Sequence, residues 1–314
     1  MINFRFHLVS ITAIFLALAA GIAVGAAVVD RASVDLLRTQ LDEVEGRRTE
    51  TNARNDELKD DIDRWDRFAT EAGVALYGQY LSTPTGGLPV ALVAVDGVDR
   101  ASVGALEAAL ARAGAAHQGT LWLTSRWLLS DESAITDLAA AIKVNPTLTA
   151  DTVRRAAVSK IGKALVDGGA ADVLVSLDAS GFLDFTPTAG GETLGAVPSP
   201  DATIIFISGP SAYVSDTILA LPIVRTISSS ARSLIVAQPG APAVTAKDDR
   251  SFVGRIRSDR DLAAALTTVD SLDDLRGRTA AVMAVRTRAA GVNGHFGIGR
   301  GAQRVVPEIV VPPA

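Results

Sequence analysis

The sequence predicts an α/β protein in which an N-terminal transmembrane helix continues into a coiled coil, followed by a doubly wound, mostly parallel sheet domain. Three observations carry this reading. Leu8 to Val29 is a run of 22 residues without a charge. From Val34, apolar residues step by three and four through six heptads. From Pro89, short unbroken apolar runs alternate with amphipathic stretches, as buried parallel strands and their crossover helices do. The expected segments are leader and anchor at 1–29, stalk at 30–80, linker at 81–88 and α/β domain at 89–314.

Composition narrows the function classes. A chain of 314 residues with 48% hydrophobic content can bury a real core, and with only 5% aromatics that core must be aliphatic. Cysteine is absent, which excludes disulfide scaffolds, thiolate zinc sites and cysteine nucleophiles. Of the net charge of −5, all falls in residues 30–80, where 13 Asp and Glu face 8 Lys and Arg. There is no basic stripe with interleaved aromatics, so no nucleic-acid partner is expected.

The apolar run Leu8–Val29 would span roughly 33 Å as a helix, enough for a hydrocarbon core of about 30 Å. Secretory signals have apolar regions of only about 7–15 residues, so the run reads as an uncleaved membrane anchor. Charge leaves its orientation open. Arg5 flanks one side, and Arg31 and Arg38 the other.

In the stalk, Val34, Leu37, Leu41, Val44, Leu58, Ile62 and Trp65 occupy the seam, followed by Ala69, Ala72 and Leu76. Arg48, Thr51 and Asn55 hold the same register as a polar middle. So long a 3.5-residue register predicts a coiled coil. The chain has one such segment, so its partner is expected to be a second copy, giving a homodimer. No breaker separates Val29 from Leu41, which predicts one continuous helix through membrane and stalk. The turn-rich "STPTGGLP" at 82–89 ends it. A small-residue stripe, Ala13, Ala17, Gly21 and Gly25, lies on the face opposite the heptad seam, and a straight dimer cannot use both.

Beyond the linker, strands are expected at 89–97, 117–124, 202–209, 232–240 and 278–285. Helices are expected near 102–113, 131–142, 151–166, 211–229 and 259–267. Such sheets bind ligands at the carboxyl ends of their strands, where Asp96, Ser208, Gly209 and Gln238 fall. Asp96 reads as a turn or cap residue. Neither a G-x-G-x-x-G after the first strand nor a P-loop occurs. No paired carboxylates, triad or metal cluster can be assembled, so an enzyme is not expected and no cofactor is implied.

Three histidines are scattered along the chain. His7 lies at the membrane edge, His117 at a strand start, and His295 in the glycine-rich "GVNGHFGIGRGA" at 291–302. Two readings of that segment stay open: a flexible terminal loop, or a backbone amide nest that holds an anion with the help of Arg300.

The order of parts resembles the MctB family, an actinobacterial and mycobacterial copper transport protein family. The resemblance runs over essentially the whole length and rests most on "RFHLVSITAIFLALAAGIAVG" and on "TTVDSLDDLRGRTAAVMAV" followed by "NGHFGIGRGA". It implies a role in copper export or homeostasis, a cytoplasmic N-terminus and a bulk outside the cytoplasm. Copper(I) favours thiolate and thioether ligands, then imidazole. With no Cys and only Met1 and Met283, His295 is the one residue of the terminal loop able to ligate copper. A spanning barrel needs at least eight strands of about ten alternating residues, which this α/β pattern lacks. The alternative is a coiled-coil scaffold or regulator of cell division and wall remodelling, with cell-envelope protein partners and no direct metal transport.

Overall fold

A computed structural model describes residues 4–77, 80–83, 87–168, 172–188, 193–230, 232–240 and 251–308, with the side chains of 4, 27–35 and 65–77 outside that description. The chain forms two compact units, Met1–Phe68 and Ala69–Ala314.

Helix α1 runs without interruption over Phe4–Tyr77, 74 residues, or about 110 Å. Proline is missing from the whole stretch, so every backbone N–H beyond the first turn has a carbonyl to meet. Its first part, Arg5–Ala26, is long and apolar enough to cross a membrane, with none of the window buried in the chain. The Thr12 hydroxyl donates to the Leu8 carbonyl at 2.8 Å, so this polar group enters the apolar span already satisfied. Further along, Leu37, Leu41, Val44, Leu58 and Ile62 are 52–61% exposed. This chain alone does not cover the heptad seam. The side chains of Val34 and Trp65, also assigned to it, lie outside the described residues.

The α/β unit is built on β1 (Pro89–Val95), β2 (Ala116–Leu123), β3 (Leu183–Thr186), β4 (Thr203–Ile207), β5 (Leu234–Ala237), β6 (Thr267–Val269) and β7 (His295–Phe296). They form one sheet in the order β3-β2-β1-β4-β5-β6-β7. All neighbours are parallel except β3, which runs antiparallel on the edge. Helices cover both faces. Ala91, Val93 and Val95 look into one core with α3 (Glu132–Ala141), α4 (Ala150–Asp167), α5 (Asp172–Ala179), α6 (Ala220–Ser228), α7 (Phe252–Ser258) and α8 (Arg260–Ala265). Val90, Leu92 and Ala94 look into the other, with α2 (Arg100–Arg112) and α9 (Leu275–Ala289). Alternate residues of one strand thus feed two cores, which is why the strands read as unbroken apolar runs.

Four sequence expectations need correction. The run 278–285 is not a strand; it is the middle of α9, with Ala280, Ala281, Val282, Met283, Ala284 and Val285 all buried. A short apolar run does not distinguish a buried strand from a buried helix. Here the alanines favour helix, and Asp274 caps it by accepting from the Arg276 amide at 2.7 Å. Helix 211–229 shrinks to Ala220–Ser228, with turns over 210–219. Helix 259–267 ends at Ala265, and Thr267 begins β6, a three-residue strand too short to show a period. The sheet therefore has seven strands among the described residues, rather than five.

Around the linker, Leu81 is fully buried. Its amide donates to the Ala113 carbonyl at 2.7 Å, and the Leu88 amide donates to the Leu81 carbonyl at 2.9 Å. A Cβ at Gly87 would sit 2.2 Å from the Gly114 carbonyl oxygen. Pro84 and Gly86, the breakers between them, lie outside the described residues.

Candidate functional site

The glycine-rich C-terminal segment closes over a buried ion pair. Asp270 follows β6, with its side chain fully buried; Arg257, at the end of α7, is 3% exposed and pairs with it at 2.7 Å. Around the Asp270 carboxylate, Oδ1 accepts from the amides of Ile298 at 2.9 Å and Gly299 at 3.2 Å, and from the Ser271 hydroxyl at 2.8 Å. Arg257 donates also to Thr268 Oγ1 at 2.9 Å and to the carbonyls of Phe296 at 2.8 Å and Arg300 at 3.0 Å. Gly297 makes the closure possible. Its φ is +126°, and a Cβ there would lie 2.2 Å from Asp270 Oδ1. Removing one partner of such a pair leaves an unpaired buried charge.

Of the two sequence readings of this segment, the amide nest is present, and its anion is the chain's own Asp270. The flexible-loop reading is corrected: the segment is fixed because its amides have a buried charge to satisfy. Arg300 contributes its carbonyl to Arg257. His295 sits within β7, 9% exposed, with Nδ1 at 3.0 Å from Thr268 Oγ1. Burial and the Arg257 charge push its pKa below the ordinary value, against a hydrogen bond to the Ala263 backbone. The imidazole is thus engaged in the fold. Among the described residues no group of three or more His, Cys, Asp or Glu is placed to hold a metal ion.

The strand order reverses beside β1, so the crevice favoured for ligands lies between the carboxyl ends of β1 and β4. The chain fills it. The Tyr213 amide donates to the Asp96 carbonyl at 2.9 Å, and Gly97, at φ +93°, leaves no room for a Cβ beside the Ser211 carbonyl. Ser208 is buried and donates to Asp216, whose pKa is raised by burial. Asp96 holds Arg100 at 3.4 Å, while Asp99 caps α2. Gln238 accepts from the Val253 amide at 2.9 Å.

Open space lies at the opposite, amino end of β2. A trough of about 730 Å³ runs between α2 and the segment after β3, lined by Gly104, Glu107, Ala108, His117 and Thr188 among others. A bulge in β2 builds it. Between the pairs Val90–His117 and Leu92–Thr120, β1 advances two residues and β2 three, so His117 and Thr120 share a face that strict alternation would deny them. Gly119 absorbs the bulge at φ +126°, where the Phe185 ring would meet a Cβ at 2.7 Å. Thr120 donates its hydroxyl to Glu107 on α2. Burial lowers the His117 pKa, against the Glu107 charge and a hydrogen bond to the Gly119 backbone. His117 Nε2 is shut off from water with no hydrogen-bond partner.

Sequence reading noted His117 as solitary and missed Glu107, because the bulge that brings them together depends on packing against Phe185. It missed Asp270 and Arg257 as well, although Asp270 lies within one of the two segments quoted for the family resemblance.

The fold defines a class: a doubly wound α/β unit preceded by a helix long and apolar enough to cross a membrane. The family described as copper transport outer membrane protein, MctB, matches residues 1–307, and the chain belongs to that family. Similar proteins include the copper transporters MctB of Mycobacterium bovis and Mycobacterium tuberculosis. Each is 23% identical over 327 residues, spanning 97% of this chain and 99% of the relative.

Proposed function

We propose that this protein is a single-pass, membrane-anchored cell-envelope protein that serves copper export or homeostasis, with its α/β unit held outside the cytoplasm on a paired helical stalk. The carrying observation is α1, 74 residues without a break, apolar in its first part and with an exposed heptad seam in its second. An apolar seam in water gains most by pairing with a like helix, and a second copy anchored in the same membrane presents it in the same direction. The copper role rests on family membership and on the names of the mycobacterial relatives.

A second reading is favoured by a specific observation: the His295 imidazole is buried and hydrogen-bonded within the fold. On this reading the protein is a scaffold or regulator of division and wall remodelling, and acts on copper only through partners gathered by its stalk. The described strands form one open sheet with helices on both faces, unlike a closed lipid-facing barrel.

Copper tolerance of a deletion strain carrying variants separates the two. Loss of tolerance on deletion supports a copper role. If the stalk serves it through partners, Leu37→Asp with Leu41→Asp should fail to restore tolerance while His295→Ala restores it. Tight, stoichiometric copper binding by the purified protein, abolished by His295→Ala, would instead establish direct transport. A deletion strain that grows normally on copper but divides abnormally would favour the regulator.

A further inference from the structure

We propose that the trough between α2 and β2 is a binding site for a cationic group, an ammonium or guanidinium, carried on a slim aliphatic stem. The site goes beyond the copper reading and does not depend on it. Its one charged group, the Glu107 carboxylate, is an acceptor. Glu107 has the Thr120 hydroxyl as its partner and no ion pair among the described residues. The imidazole of His117 keeps Nε2 without a partner. The half-buried Glu107 carboxylate at the trough gains a charge-assisted hydrogen bond from an entering N–H donor. At that end the His117 carbonyl is already taken by the Thr188 hydroxyl at 3.1 Å.

The walls fix the shape of the ligand. Gly104 and Ala108 on α2, with Ala115 and Ala116 at the start of β2, offer small apolar surfaces along the trough. A methylene chain fits such walls, and its charged tip can then meet Glu107. The volume of about 730 Å³ lies within the ordinary range of small-molecule sites, about 300–1,000 Å³, and is many times that of a bare ion. Two side-chain donors also fall short of the four of a closed zinc-type site. The space is open in a further sense: a Cβ built on Gly104 meets nothing within 4 Å.

The test uses the full chain in a nonionic detergent and measures binding by calorimetry. Agmatine probes a free small cation, and a blocked tetrapeptide containing arginine probes a partner's side chain. The same peptide with citrulline is the neutral control, and copper(II) chloride is the metal arm. Saturable one-to-one binding of agmatine, of the arginine peptide, or of both, with no binding of the citrulline peptide, is the expected result; which of the two binds names the source. Glu107→Gln should weaken it at least about tenfold, the scale of a lost charge-assisted hydrogen bond. Gly104→Leu should abolish it by filling the trough while the unfolding temperature holds, since leucine is the better helix former. Absence of saturable binding at millimolar concentration, or binding that neither variant changes, would overturn the proposal. So would one-to-one binding of copper(II) alone that His117→Asn removes.

Discussion

Asp270 and Arg257 show how one residue pair fixes a whole segment. The carboxylate is fully buried, and its partners span β6, α7 and the 296–300 turn. Asp270→Ala would strand the Arg257 guanidinium inside the protein, a loss of about 3–5 kcal/mol. Urea unfolding monitored by circular dichroism should show the drop in midpoint. Gly297→Ala should also destabilise, because its Cβ would collide with the same carboxylate. The histidines supply a pH dependence. Burial gives both His117 and His295 a lower pKa folded than their ordinary value of 6.5. The unfolded chain therefore takes up protons first as pH falls. Their contribution is complete above about pH 6.5 and lost as pH drops through the folded values. Thermal scans from pH 7.5 to 5 should show a falling midpoint, and a shallower fall in His295→Asn. A midpoint that rises on acidification would contradict this.

At the scale of an element, the stalk carries both a seam and a charge pattern. Replacing Leu37 and Leu41 with aspartate would bury unpaired charge in the seam of a paired stalk, so sedimentation of the full chain in detergent should shift from dimer to monomer. Equilibrium as a monomer at high micromolar wild-type concentration would rule out the pairing itself. Salt offers a second probe. In a parallel pair of identical stalks, the heptad would place Arg54 of one copy beside Lys59 of the other. Like charges at these flanking positions oppose association and are screened by salt. Self-association is therefore expected to tighten severalfold as salt rises from low to high, whereas weakening would indicate a differently arranged or charged partner. Within α2 the register does something simpler: it turns Leu106 and Leu110 inward and leaves Gly104 and Glu107 to line the trough.

For the whole molecule, the testable quantity is topology. The chain has no cysteine, so a single introduced one reports its own location without background. Val175, exposed on α5, is a suitable position. On the proposed orientation, an impermeant maleimide should label Val175→Cys in intact cells with the outer envelope opened. Labelling only after the inner membrane is permeabilised would invert the orientation.

The sequence by itself determined the elements whose signal is local and long. An uncharged run of 22 residues, a breaker-free stretch that continues it as one helix and the continuous apolar strands β1, β2, β4 and β5 each declare themselves over enough residues for pattern to speak. Family membership was legible too, from the leader and the two C-terminal segments. Tertiary structure decided everything that depends on what lies opposite. Residues 278–285 became helix because that face of the sheet needed a helix, and an all-apolar stretch satisfies either need. β6 and β7, three and two residues long, exist only through neighbours that supply their hydrogen bonds. The nest over Asp270 joins residues far apart in the chain through a glycine at φ +126°, and a β-bulge sets His117 on the face where Thr120 meets Glu107. Such contacts leave no periodic trace, because a buried charge or a bulge is defined by its surroundings rather than by its neighbours in sequence.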